Sequence, residues 1–320
     1  MRVLTIRRYL FILGRMGKLL LVGGGSAAWA DWLKDNRAGR DLVVLDPADA
    51  HYGAAGRLWV LRGIRPIYSA FYGSLDPQRA PHLLMAALHE FLGVVDDNAL
   101  VQLYPMRATP LMRQMTQTVT SMVRPARILM PSDEPDDAIC WPVGPEAVEL
   151  IKPLPSLVLQ AQRKAQWLKL IERSSRHEIP LDRLTIQGAR LGSGRLLDSV
   201  MRQRAGLEEA LRVEVCGSSL LVVTKGDLKE DQVTRALDIT HTQRAHIVHP
   251  EDYENLLCAL VRLSGEEFGY GRVEALDFEA GMAVVMADAV PPVPIPILRL
   301  GSLRVDADGR ELGEVRPWQV

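Results

Sequence analysis

The stretch that decides the fold lies near the start of the chain and reads Leu19-Leu20-Leu21-Val22-Gly23-Gly24-Gly25-Ser26-Ala27-Ala28. Its four apolar residues predict a short buried strand, and the glycines after them predict a tight turn into a helix. Glycine lets backbone N–H groups approach an anion, and the free N–H groups at a helix start supply partial positive charge. Gly23, Gly24, Gly25 and Ser26 are therefore candidate phosphate-binding residues.

The same turn leaves two further interpretations open. Gly23, Gly25 and Ala28 fit the G-x-G-x-x-[GA] pattern, and Asp46 lies about 20 residues further on, where dinucleotide folds place a ribose-binding acid. This spacing keeps a Rossmann-type dinucleotide-binding oxidoreductase open. The pattern also occurs in turns that bind nothing, so a non-catalytic scaffold is open too.

A Walker A loop is missing from the turn. That loop reads G-x-x-x-x-G-K-[ST]; its lysine reaches the terminal phosphates and its hydroxyl helps to hold Mg²⁺. Lys18 precedes the predicted strand, at its wrong end, and Lys34 lies late in the predicted helix. The turn thus lacks the lysine that phosphoryl transfer uses.

The chain shows two patterns of hydrophobicity. Up to about residue 127, short apolar runs alternate with helical stretches, which favours a parallel α/β layer. From about residue 199, apolar runs are separated by Gly and Asp turns, which predicts a small β-rich domain. The predicted helices cover 26–35, 81–92, 110–123 and 157–173. The predicted strands cover 19–22, 41–45, 100–104, 127–130, 219–224, 246–248, 256–263, 272–278, 282–286 and 297–305, and 131–145 is predicted as a linker.

Composition excludes several classes of protein. With 320 residues, 48% of them hydrophobic and 24% charged, the chain is expected to be globular with about two domains, neither disordered nor fibrous. The 38 Lys and Arg nearly balance the 39 Asp and Glu, so the total charge indicates neither a nucleic-acid nor a membrane partner. No apolar run approaches the roughly 20 residues of a membrane span. We therefore expect no membrane partner.

Cysteine and histidine usage points away from metal binding. The cysteines Cys140, Cys216 and Cys258 lie far apart without a CxxC motif, so we predict neither disulfides nor a zinc site. We predict a cytoplasmic location. The spacing of His241, His246 and His249 is not diagnostic of a metal site. The apolar run at 9–13 is shorter than the roughly 7 to 15 residues of a signal peptide. Either Met1 or Met16 can be the natural start.

Several segments, in the same order from about residue 19 to 312, resemble those of one family. In the first half these are Gly39-Arg40-Asp41-Leu42-Val43-Val44-Leu45-Asp46 and Phe71-Tyr72-Gly73-Ser74-Leu75-Asp76-Pro77. In the second half they are Gly265-Glu266-Glu267-Phe268-Gly269-Tyr270-Gly271-Arg272-Val273, Ile297-Leu298-Arg299-Leu300-Gly301-Ser302-Leu303-Arg304-Val305-Asp306 and Asp308-Gly309-Arg310-Glu311-Leu312. They resemble the polynucleotide 5′-hydroxyl kinase family, which includes the pre-rRNA-processing kinases and the mRNA 3′-end cleavage factor kinase.

The resemblance implies a fold and a site. It implies a P-loop-like parallel sheet with helices, followed by a small β-rich C-terminal domain. In active members it implies ATP on the glycine loop, Mg²⁺, and an acid that activates an RNA or DNA 5′-hydroxyl. Asp46 matches the position of that acid, and Arg163 lies where the family carries an arginine-bearing lid. ATP and Mg²⁺ are thus the expected cofactors if nucleotide binding is retained.

From these features we predict a polynucleotide-kinase-like protein of RNA processing, in three parts. Residues 1–17 form an N-terminal extension, 18–180 a P-loop-like α/β domain with a basic lid-like helix, and 181–320 a β-rich C-terminal domain. Because the Walker A lysine is absent, we expect weak or lost kinase activity. The chain would then act by binding RNA, DNA or a protein partner in a processing complex.

Local charge indicates where nucleic acid would bind. Residues 98–132 contain no acid but include Arg107, Arg113, Arg124 and Arg127. Such patches bind nucleic acids through their phosphates. The alternative is an ordinary solvated helix face. A second arginine-bearing segment, residues 188–195, is rich in glycine and is expected to be a mobile or anion-binding turn.

Overall fold

A computed structural model of the protein describes residues 17–132, 139–150, 154–288 and 296–315. By its internal contacts the chain divides into two compact units, the first ending at Arg163 and the second beginning at Lys164. The predicted domain boundaries at residues 17 and 180 stay predictions. Within the described parts of the chain, no helix combines the length and the apolarity needed to cross a bilayer.

The first unit is built on a mostly parallel seven-stranded sheet. Its strands are β1 (Leu19–Leu21), β2 (Leu42–Val44), β3 (Arg57–Arg62), β4 (Arg65–Phe71), β5 (Leu100–Gln102), β6 (Arg127–Pro131) and β7 (Glu146–Val148). They lie in the order β4-β3-β2-β5-β1-β6-β7. Within this order, the neighbouring strands β2, β5, β1, β6 and β7 are parallel to each other. Strand β3 is antiparallel to β2, and β3 and β4 form an antiparallel hairpin at one edge.

Helices cover both faces of this sheet. They are α1 (Gly25–Asn36), α2 (Pro81–Leu92) and α3 (Pro110–Val123), and α4 (Ser156–Arg173) contains the boundary between the units. Trp29 of α1 packs in the core on one face, while Leu88 of α2 and Val119 of α3 pack in the core on the other. Strands β1, β2 and β5 are buried throughout, as expected for parallel strands between two helical layers.

The strand order bears on the dinucleotide alternative. In the folds that bind dinucleotides, the strand before the glycine turn lies next to the strand that ends in the ribose-binding acid. Here β5 lies between β1 and β2. The order therefore does not match that of a Rossmann-type oxidoreductase.

The second unit contains two sheets. Its strands are β8 (Ser175–Pro180), β9 (Thr185–Gln187), β10 (Arg195–Leu196), β11 (Arg212–Cys216), β12 (Ser219–Val223), β13 (Arg244–Val248), β14 (Leu256–Val261), β15 (Glu267–Asp277), β16 (Met282–Ala287), β17 (Ile297–Val305) and β18 (Glu311–Glu314). One sheet has the order β10-β11-β12-β13, with helices α5 (Ser199–Arg204) and α6 (Glu230–Thr240) connecting its strands. The other has the order β18-β17-β14-β15-β16-β8, with β9 paired to β17. The predicted fold class, a parallel α/β sheet followed by a β-rich part, is confirmed.

Candidate functional site

The glycine turn between β1 and α1 is short and closed by its own hydrogen bonds. Gly23, Gly24 and Gly25 have φ values of 76°, 71° and 66°, the left-handed region that residues with a Cβ disfavour. The Gly25 N–H donates to the Gly23 carbonyl at 2.8 Å, and Trp29 Nε1 donates to the same oxygen at 2.8 Å. One N–H group at the start of α1 is thus already used inside the turn.

A cavity of about 230 Å³ opens beside the turn. It lies at the carboxyl edge of the parallel strands, where open α/β sheets bind their ligands. Its walls come from the turn and α1, from the segments after β2 and β5, and from α4 together with Leu154, two residues before it. The lining residues are Gly24, Gly25, Ser26, Ala27, Ala30, Asp46, Ala48, Asp49, Ala50, His51, Pro105, Leu154, Leu159, Gln162 and Arg163. The structure therefore brings together five of the predicted site residues, but Gly23 does not line the cavity.

Asp49 is a site residue that sequence reasoning missed. Ser26 Oγ donates to Asp49 Oδ2 at 2.6 Å, and Gln102 Nε2 donates to Ser26 Oγ at 2.5 Å. All three side chains are buried. The only signal in the sequence is an acid three residues after Asp46, in the segment that follows the same strand. The hydroxyl proton of Ser26 is thus directed at a carboxylate of its own chain.

Burial raises the pKa of both carboxyl groups. The pKa of Asp46 rises to about 7, chiefly because it is removed from water and secondly because the charge of Asp49 is close. The Ala48 N–H, which donates to Asp46 Oδ1 at 3.1 Å, and the charge of Arg163 act in the opposite direction. Burial also raises the pKa of Asp49, against the hydrogen bond from Ser26. Near neutral pH, Asp46 is therefore partly protonated.

The described residues do not fit a nucleoside triphosphate. Phosphoryl transfer needs cations around the phosphates, and Arg163 is the one arginine or lysine among the described residues that line the cavity. Lys18 lies at the amino end of β1, where its Nζ is 3.0 Å from Asp97, and Lys34 pairs with Asp31. The two buried carboxyl groups would repel a polyphosphate. Lys152 lies outside the described residues.

The structure separates the predicted nucleic-acid-binding arginines. Arg107 and Arg113 lie near the start of α3, whereas Arg124 caps its end and Arg127 opens β6. A helix of 14 residues is about 21 Å long, so the two pairs lie well apart. Both Arg127 Nε and Nη2 bind Glu146, at 2.7 and 2.6 Å, and Arg107 lies 3.6 Å from Asp76. Nucleic-acid binding by these four residues stays a prediction.

The glycine-rich turn of the second unit binds an anion that belongs to the chain itself. The Gly192 and Gly194 N–H groups donate to the carboxylate of Glu214, at 2.9 and 3.1 Å. Glu214 is fully buried and its Oε1 lies 2.5 Å from Arg212 Nε. These two N–H groups are therefore not open to a ligand. Among the described residues, no three His, Cys, Asp or Glu side chains come together as a metal site.

The fold defines the class of protein as an α/β protein with a mostly parallel seven-stranded sheet and a β-rich second unit. No family model and no curated protein matches the chain. Solved structures that are similar to it include two of Clp1p with Pcf11p. One is a complex of Clp1p with Pcf11p, at 11% identity and a TM-score of 0.48, covering 94% of this chain and 79% of that one. The other concerns the extended interface between Pcf11p and Clp1p and ATP loss in a glycine-to-arginine mutant, at 10% identity and a TM-score of 0.46, covering 90% and 75%.

Proposed function

We propose that this chain is a polynucleotide-kinase-like protein of RNA processing with weak or lost kinase activity, which acts by binding nucleic acid or a protein partner. The observation that carries the proposal is the cavity at the glycine turn. The cavity contains an acid, Asp46, after the second strand, as does the family that this chain resembles. It also contains a second buried acid, Asp49. The cations that would neutralise a transferred phosphoryl group are reduced to Arg163 among the described lining residues.

The degenerate Walker A turn supports loss of activity. Only Val22, Gly23 and Gly24 separate β1 from α1, whereas a Walker A loop has four residues between its outer glycines and then a lysine. The Gly25 N–H is directed at Gly23, so it does not point to a phosphate. The turn is thus shorter than a Walker A loop, and one of its N–H groups is already used inside it.

Binding of a partner is the other part of the proposal. The two solved structures described above concern Clp1p together with Pcf11p. For this chain we propose a protein partner within a processing complex, and RNA or DNA as a ligand. ATP and Mg²⁺ remain the cofactors to test for residual binding. The cytoplasmic location stays a prediction.

Thermal shift measurements test the ligand class. A ligand that binds the native state at 100 times its Kd adds about 2.7 kcal/mol of stability, so it raises the melting temperature. We expect a rise with short oligonucleotides and little or none with ATP–Mg²⁺ or NAD. A rise with NAD alone would overturn the proposal in favour of the oxidoreductase.

A phosphoryl-transfer assay tests the lost activity. The transfer of labelled phosphate from ATP to a 5′-hydroxyl oligonucleotide is compared among the wild type, Asp46→Asn and the matched control Asp31→Asn, whose carboxylate is exposed on α1. We expect the same background in all three. Turnover that Asp46→Asn abolishes and Asp31→Asn retains would show an active kinase.

A further inference from the structure

In the second unit, the glycine-rich loop at residues 188–195 is fixed on one face of the four-stranded sheet. Glu214 of β11 holds it through the Gly192 and Gly194 N–H groups. A Cβ atom on Gly188 would lie 2.1 Å from the carbonyl oxygen of Leu300, so the loop also packs directly against β17. The backbone that carries Arg190 is therefore held in place on both sides.

The strand register places His246 on the same face as Glu214. Glu214 lies opposite Leu221, and Leu221 lies opposite His246, so the three form a row across β11, β12 and β13. Adjacent strands are about 4.8 Å apart, which puts His246 about 10 Å from the residue that holds the loop. Arg244 precedes His246 by two residues on β13 and thus shares its face.

The surroundings of His246 are positive. Its Nε2 atom is buried and has no hydrogen-bond partner in the described parts of the chain. Burial, followed by the charges of Arg190 and Arg244, lowers the pKa of His246. The carboxylate in the same row, Glu214, already binds Arg212 and the loop. An anion bound here would favour the charged form of the imidazole.

We propose that Arg190, Arg244 and His246 form a phosphate site for the backbone of a nucleic acid. Two guanidinium groups and a protonated imidazole donate hydrogen bonds that match phosphate oxygens. The fixed loop positions Arg190 in advance, so little freedom is lost on binding. This proposal rests on the proposed nucleic-acid function and adds a binding site to it.

Histidine NMR on the full-length chain tests the site. The His246 signal, assigned with His246→Gln, is titrated with pH alone, with a 5′-hydroxyl oligonucleotide and with inorganic phosphate. A bound phosphodiester favours the charged imidazole, so we expect the oligonucleotide to raise the pKa of His246. For the same reason, oligonucleotide affinity should increase as the pH falls.

Arginine variants complete the test. Arg190→Ala with Arg244→Ala should weaken oligonucleotide binding about tenfold or more and flatten its salt dependence, by about 0.7 to 0.9 log units for each phosphate that the variant no longer neutralises. The control is Arg183→Ala, an exposed arginine of the same unit that should leave both unchanged. Circular dichroism checks that each variant is folded.

Two results would overturn the site in different ways. The first result is that the oligonucleotide binds without changing the pKa of His246 and that its affinity does not depend on Arg190 and Arg244. The nucleic acid then binds elsewhere, and the proposed function survives. Loss of binding in an Arg113→Ala, Arg124→Ala variant would then place it on the first unit. If neither the wild type nor any variant binds an oligonucleotide, the proposed nucleic-acid role fails together with the site. This holds even if inorganic phosphate changes the pKa of His246.

Discussion

In the first unit, a glycine turn lies beside the buried carboxyl groups of Asp46 and Asp49, whereas in the second unit a glycine-rich loop lies beside the buried carboxylate of Glu214. Glu214 accepts hydrogen bonds from two loop N–H groups and pairs with Arg212. At the turn, the Gly25 N–H is directed at Gly23. Glycine content is similar in the two segments, but the direction of their N–H groups differs.

This difference distinguishes a carboxylate that only stabilises the fold from a carboxyl group at a candidate binding site. Buried charges are tolerated when they are paired and hydrogen-bonded, as at Glu214, and the loop is then part of the core. Where compensation is incomplete, as at Asp46, the carboxyl group takes up a proton near neutral pH and faces a cavity. Three experiments would break or sharpen this comparison.

The largest effect is expected from Glu214→Ala. The change leaves Arg212 and the loop N–H groups without their buried partner, and breaking such a pair costs about 3–5 kcal/mol. Urea unfolding measures the free energy. The matched control is Glu208→Ala, an exposed carboxylate that should change stability by less than about 0.5 kcal/mol. A loss below about 1 kcal/mol for Glu214→Ala would show that the loop does not depend on this carboxylate.

A smaller and pH-dependent effect is expected from Asp46→Asn. The folded pKa of Asp46, about 7, lies above the unfolded value near 4, so the folded state binds more protons in this range. Stability from this group is therefore present below pH 4 and is lost as the pH rises towards 7. Asparagine cannot ionise, so the variant should be more stable than the wild type by about 2–4 kcal/mol at pH 8, with little gain at pH 4.

Thermal unfolding from pH 4 to pH 8 measures that difference. Asp31→Asn, on the exposed side of α1, is the control and should follow the wild type throughout. A gain for Asp46→Asn that is the same at both ends of the range would mean that ionisation of Asp46 is not its cause.

The smallest difference is expected among three glycine-to-alanine variants. Gly39 has a φ of 80° and open space where a Cβ would lie, so Gly39→Ala measures backbone strain alone. Gly25→Ala adds close contacts with Pro105 and Asp46, at 3.2 and 3.4 Å. Gly188→Ala adds a collision with the Leu300 backbone and should cost about 1–3 kcal/mol more than Gly39→Ala. Equal losses in all three would contradict the close packing of the second loop.

Local signals allowed several elements to be predicted from the sequence. Helices α2 and α3 have the predicted bounds, since each begins with proline at its first position and repeats apolar residues at helical spacing. Strand β17 also has its predicted bounds, and β1 and α1 agree within one residue. These elements depend on residues that are close together in the chain.

Other strands could not be predicted. The hairpin of β3 and β4 was missed because its runs do not alternate clearly, and β4 is largely exposed. Strand β8 reads Ser175-Arg176-His177-Glu178-Ile179-Pro180 and lacks an apolar pattern, so only its pairing with β16 makes it a strand. Strand β7 begins directly after the predicted linker, of which residues 133–138 lie outside the described residues.

The sequence by itself determined the strand, the glycine turn, the helix after it and the missing lysine, because all of these are written in neighbouring residues. The tertiary structure decided the rest of the site. Ser26 reaches Asp49 across 23 positions and Gln102 across 76, and β5 separates β1 from β2. The pKa of Asp46 depends on which side chains exclude water from it, and the role of Glu214 on which N–H groups point at it. Both are set by contacts between distant segments, which the spacing of residues along a chain does not encode.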